Sequence, residues 1–170
     1  MSSRNIRLLI AYDVNGYSVW QRQIKAETIQ GSIEDCLRQM TTEDGTLHGA
    51  GRTDAGVHAN GMVANFMTAS SIMCSGFKNG LNSMLPRDIR ILATDEAATD
   101  FHSRYSATGK TYSYSFFTGS VQLPTKRLYI AHYPGDFNND VVLETLQLLL
   151  GTHDFSSFEG SGSPLGQNPF

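Results

Sequence analysis

Asn5-Ile6-Arg7-Leu8-Leu9-Ile10-Ala11-Tyr12 (NIRLLIAY) places Ile6, Leu8, Ile10 and Tyr12 on one side of an extended chain. Alternation with period two marks a strand with one buried face. Asp13 to Gly16 ends it with turn-forming residues. Downstream, Thr28 stands where an N-cap belongs, and Ile29, Ile33, Cys36, Leu37 and Met40 recur at helical spacing. Thr46 to Ala50 reads as a short strand and Met62 to Phe66 as a longer one, with a small-residue loop between them. Ser70 or Ser71 would cap a second helix that buries Ile72, Met73, Phe77 and Leu81, although Gly76 and Gly80 weaken its helical propensity. The turn Leu85-Pro86-Arg87-Asp88 leads into a strand over Ile89 to Ala93.

The succession strand, helix, strand, strand, helix, strand is the βαββαβ order of a ferredoxin-like or RRM-like α+β fold. Such a fold is expected to cover one face of an antiparallel sheet with helices and leave the other open, the geometry of RNA-recognition modules. Thr111 to Phe117 (TYSYSFF) adds a further strand. Val141 to Leu150 adds an apolar helix, with Gly151 at its C-cap. Gly160 to Phe170 is rich in Gly, Ser and Pro. It reads as a flexible tail or the start of a missing second domain, so the expected domain is 1–159.

The chain has 170 residues, 40% of them hydrophobic and 17% charged, which fits a globular domain and excludes a disordered one. No apolar run approaches the roughly 20 residues that cross a bilayer, so no membrane association is expected. Asp13 cuts short the apolar stretch near the N-terminus, so no signal-peptide core is read there. Cys36 and Cys74 fall in expected helices, form no C-x-x-C pair and read as buried thiols. Both features suit a cytoplasmic protein. The net charge of -3 argues against attraction of nucleic acid by the whole surface. A local stripe of Arg22, Lys25, Arg52, Arg104 and Lys110 would suffice.

The chemistry concentrates in Gly51-Arg52-Thr53-Asp54-Ala55-Gly56-Val57-His58-Ala59 (GRTDAGVHA). Glycine and alanine let a bulky substrate approach the backbone. A carboxylate held there, Asp54, is a candidate nucleophile or base, with Arg52 placed to pair with it or with a phosphate. The plain alternative is an Asx-turn residue.

This stretch resembles the catalytic motif of the TruA-type tRNA pseudouridine synthases, and the resemblance is collinear over most of the chain. Ile10-Ala11-Tyr12-Asp13, Tyr17 and Trp20-Gln21-Arg22-Gln23 are similar to the family's opening motif, and Thr28-Ile29-Gln30 to the start of its first helix. Gly61 to Phe66, Leu81-Asn82, Leu85 to Ile89, Phe101 to Ala107, Lys110 to Tyr114 and Leu150 to Phe158 resemble its later blocks in order. Val14, Val19 and Met62 depart from it, standing where the family usually has glycine, glycine and glutamine.

The resemblance implies isomerisation of uridine to pseudouridine in the tRNA anticodon stem-loop, without cofactor or metal, by a homodimer that grips tRNA. Asp54 would be the catalytic carboxylate, either attacking sugar or base or removing a sugar proton. Arg52 would hold the flipped nucleotide or its phosphate, and Tyr112 would stack on the uracil. Arg22, Arg104 and Lys110 are candidate contacts to RNA phosphate, each with a structural role as its alternative. His58 is a candidate substrate contact or, like His102, a structural histidine. Tyr112 is alternatively a core aromatic of its strand. The resemblance also implies a second half that supplies further active-site residues, including an arginine for the catalytic aspartate.

Three other functions compete. His48, Asp54, His58 and His102 could ligate a metal in a hydrolase, but their spacing fits no standard ligand set. Gly49 to Gly56 could bind a nucleotide, but lacks a Gly-Lys-Ser/Thr ending. A non-catalytic RNA-binding module or inactive fragment of the same fold is the stronger alternative.

Overall fold

A computed structural model describes residues 3–136 and 138–158; the expected tail, 160–170, lies outside them. The chain clusters into two units, divided between Lys110 and Thr111.

In the first unit, β1 (Arg4–Tyr12) is followed by α1 (Ile29–Thr41), β2 (His48–Gly49), β3 (Ala59–Thr68), α2 (Cys74–Met84) and β4 (Ile89–Ala97). The strands form one sheet in the order β2-β3-β1-β4, and every pairing is antiparallel. Ile6 faces Phe66, Leu8 faces Ala64, and Ile10 faces Met62, so one face of β1 meets the matching face of β3. Ile6, Leu8, Ile10 and Tyr12 are buried there with Ile29, Ile33 and Leu37 of α1 and Phe77 and Leu81 of α2. Phe66 and Phe77 meet edge to face at 5.3 Å. Each such side chain contributes about 1.5–3 kcal/mol through burial.

The other face carries Arg7, Leu9, Val63 and Asp95 around a shallow concavity, with Arg7 Nε and Asp95 Oδ1 paired at 2.8 Å. Part of it is crossed by the segment after β4. Asn5 and Asn65, both buried, hold that crossing: Asn5 Nδ2 donates to the carbonyls of Ala98 and Phe101, and the Ser103 N–H donates to Asn65 Oδ1.

Thr28 caps α1 as expected, its Oγ1 accepting from the Gly31 N–H at 3.2 Å. The cap of α2 differs from expectation. Met73 occupies the N-cap position without a side-chain bond and is 72% exposed rather than buried. The serine oxygen is spent one turn earlier, where Ser70 Oγ accepts from the Ile72 N–H. Cys36 is buried, and burial pushes its thiol pKa up. Cys74 opens α2 and is only half-buried, because the helix start lies at the rim of the core.

The second unit contains β5 (Phe116–Phe117), which pairs in parallel with β6 (Ala131–His132), and α3 (Asn139–Gln147). The strand expected over Thr111 to Phe117 thus shrinks to two residues. Tyr112 and Tyr114 are 76% and 82% exposed, so their alternation has no core to face. α3 begins earlier than expected, because Asn138 Oδ1 accepts from the N–H groups of Asp140 and Val141. It also ends earlier, and Gly151, at φ +104°, lies beyond a further turn instead of at the cap. Leu143, Leu146 and Leu148 are exposed.

Candidate active site

The loop between β2 and β3 is pinned at its two ends and at one point in between. At its start, the Ala50 N–H donates to the Val63 carbonyl at 2.8 Å. In between, the Thr53 hydroxyl and the Tyr12 phenol share a hydrogen bond of 2.8 Å. The Trp20 N–H reaches the Thr53 carbonyl at a long 3.5 Å. At its end, His58 Nδ1 lies 3.2 Å from the Val14 N–H and 3.1 Å from Asp13 Oδ1.

Asp54 to Val57 stand between the second and third pins. The Val57 N–H donates to the Asp54 carbonyl at 3.2 Å, and Gly56 has φ +82°. A bonded turn with positive φ only at its third residue is type II, which requires glycine there. The geometry turns the Asp54 side chain outward, and it is exposed. Among the described residues neither the Asp54 carboxylate nor the Arg52 guanidinium, also exposed, has a hydrogen-bond or ion-pair partner. Lys110 lies alongside: a Cβ added at Gly51 would sit 2.9 Å from its Nζ. The loop therefore presents one carboxylate, with Arg52 two positions before it in the chain and Lys110 against Gly51, a set able to act on a substrate that carries negative charge.

The remaining candidates are distributed differently. Arg22 is held by α1: Nη1 bonds Glu34 Oε2 at 3.1 Å and Nη2 bonds Asp35 Oδ1 at 3.0 Å. Those carboxylates, Asp35 foremost, raise its pKa. His58 is half-buried and ties the loop to the end of β1. Arg104 is exposed, with its backbone N–H donated to His102 Nδ1. Tyr112 belongs to the second unit and is exposed. The His48 and His102 rings meet tilted, with centroids 4.8 Å apart. Among the described residues no three His, Cys, Asp or Glu side chains gather as a metal site would need.

Nothing in the spacing singles out Tyr12 or Thr53. The motifs they belong to, Ile10 to Asp13 and Gly51 to Ala59, give no sign that the two hydroxyls meet. Gly49 likewise gains its meaning from the fold, because a Cβ there would strike the Trp20 ring at 2.8 Å.

Fold and loop together define an α+β protein that offers an exposed carboxylate from a glycine turn. The family model described as tRNA pseudouridine synthase matches residues 16–106, more than half of the chain, and the chain belongs to this family. It is similar to tRNA pseudouridine synthase A 1 of Desulfotalea psychrophila, 53% identical over 160 residues, covering 94% of this chain and 64% of the relative. It is also similar to tRNA pseudouridine synthase A of Clostridium kluyveri, 44% identical over 160 residues, 94% of this chain and 66% of the relative. Against tRNA pseudouridine synthase A 2 of Clostridium tetani the identity is 43% over 165 residues, 96% and 66% of the two chains. The chain thus spans slightly less than two thirds of the length of these curated relatives.

Proposed function

We propose that this chain carries the catalytic-aspartate part of an enzyme that isomerises uridine to pseudouridine in tRNA, with Asp54 as the catalytic carboxylate. The observation that carries this reading is the exposed Asp54 carboxylate on its type II turn, without a hydrogen-bond or ion-pair partner among the described residues, in the loop where Lys110 lies against Gly51. The reaction breaks the bond from the ribose to the base nitrogen, rotates the freed uracil, forms the bond from the ribose to the base carbon and releases the proton of that carbon. The nitrogen takes up a proton, so atoms balance without an external reactant. Asp54 serves either as nucleophile or as base. Arg52 holds the extruded nucleotide or its phosphate, and Lys110 meets the RNA backbone. Tyr112 stacks on the uracil. Extruding that base costs roughly a few kcal/mol.

Our reading extends to the uridines of the anticodon stem-loop as targets, a homodimer as the active assembly and the cytoplasm as its place. The β2-β3-β1-β4 order and the βαββαβ succession support a ferredoxin-like topology for the first unit. We assign both units to one domain over 1–159.

The test is incubation of the chain, and of the Asp54→Asn variant, with unmodified tRNA, followed by chemical mapping of pseudouridine. Turnover by the parent, lost in the variant while tRNA binding persists, is the expected result. Turnover retained in the variant removes Asp54 from its role. Binding of tRNA without turnover by the parent favours the non-catalytic RNA-binding reading.

A further inference from the structure

We infer that Tyr12 and Thr53 are a positioning pair whose shared hydroxyl bond fixes where the Asp54 carboxylate stands. The inference rests on the role proposed above for Asp54.

Tyr12 is well suited to be the fixed partner. It closes β1 with its backbone paired on both sides, to Ala59 and to Ile89. It is 4% exposed, and its ring packs on Trp20 with centroids 5.6 Å apart. Thr53 immediately precedes Asp54 and has no place in a strand or helix. Its hydroxyl bond to Tyr12, at 2.8 Å, is far shorter than the 3.5 Å reach of the Trp20 N–H to its carbonyl. Among the described residues, the shorter of the two bonds that Thr53 makes beside the carboxylate is therefore a side-chain bond to the sheet.

The next strong attachment is at His58, on the far side of the type II turn. Without the hydroxyl pair, the Thr53 end of the turn from Asp54 to Val57 would be left to the long 3.5 Å bond from the Trp20 backbone N–H. A displacement of about 1 Å at a catalytic group costs on the order of a hundredfold in rate, so a pair of this kind matters more to turnover than to folding.

Two variants test the pair from its two sides. Tyr12→Phe removes the phenol oxygen, and Thr53→Val removes the hydroxyl while keeping the branched shape. Thr53→Ser retains the hydroxyl. Backbone order parameters of the 170-residue chain are measured at Asp54, Ala55 and Gly56, with Leu8 and Ala64 as sheet references. In both disabling variants the loop values should fall from the rigid range of about 0.85 to below about 0.6, with the sheet values unchanged. Thr53→Ser should restore them.

With tRNA, the same two variants should lose about tenfold or more in kcat at unchanged KM, and the double variant should lose no more than either single one. Loop order left intact in both variants, or sheet and loop loosening together, overturns the inference. So does loosening of the loop without loss of kcat. Should the parent chain show no turnover, or Asp54→Asn retain it, the proposed function fails and the positioning role fails with it, even if the loop order changes as described.

Discussion

Asp54 owes its exposure to a neighbour two positions on. Gly56 at φ +82° lets the turn close in a backbone conformation that strains a side-chain-bearing residue, and Asp54 is left exposed. Gly56→Ala has open space for its methyl but the wrong backbone. It should cost about 1 kcal/mol of stability, read by urea denaturation, and a larger share of the turnover. Tyr112→Ala belongs to the same scale. Its ring is 76% exposed, so the substitution should leave the unfolding midpoint within about 0.5 kcal/mol while lowering the rate of pseudouridine formation. An equal loss of both would assign Tyr112 to packing. At this scale the sequence is legible where a residue acts through its own chemistry. Asp54 between glycines announces itself. Thr53 and Tyr12 do not, because their importance lies in a bond across 41 positions of sequence.

Elements formed by period and cap are legible in proportion to how much of their burial is local. β1 and α1 follow their patterns closely, since Ile6, Leu8 and Ile10 alternate and Thr28 caps. α2 shifts because two adjacent serines each offered a cap and the chain used Ser70 to bend the approach instead. The strand at Thr111 fails because alternation specifies a strand only when something lies against it. α1 is also joined to its surroundings by Glu34, 8% exposed, whose Oε1 accepts from the Leu47 N–H at 3.0 Å and from Gln30 at 3.0 Å. Glu34→Ala strands the buried Leu47 N–H and should cost about 2 kcal/mol in urea denaturation, whereas Glu34→Gln retains an acceptor and should cost less. Arg22, bound to Glu34 and Asp35, contributes to this joint. Its position against α1 could not be read from a basic residue in a loop.

The two units have different surfaces. The first buries a contiguous core, while the second exposes Val121, Leu123, Leu148 and Leu150 at 81%, 66%, 74% and 67%. Apolar surface on that scale seeks cover. The chain should self-associate as its concentration rises, and a stable monomer in sedimentation would contradict this. Acid should weaken the first unit. His102 has its pKa lowered from 6.5, chiefly by burial and then by His48 and Arg104. The unfolded chain therefore takes up this proton first. Stability from this source is full above about pH 6.5 and is lost as pH falls through that value toward the lower folded pKa. His102→Gln should flatten that part of the profile, as followed by urea midpoints. The chain has a single tryptophan, and Trp20 sits 3% exposed with its ring against Gly49 and its backbone N–H toward the Thr53 carbonyl. Its emission is thus a native optical gauge of the loop, so that RNA docking, or release of the loop, can be timed in a stopped-flow cell without attaching a dye.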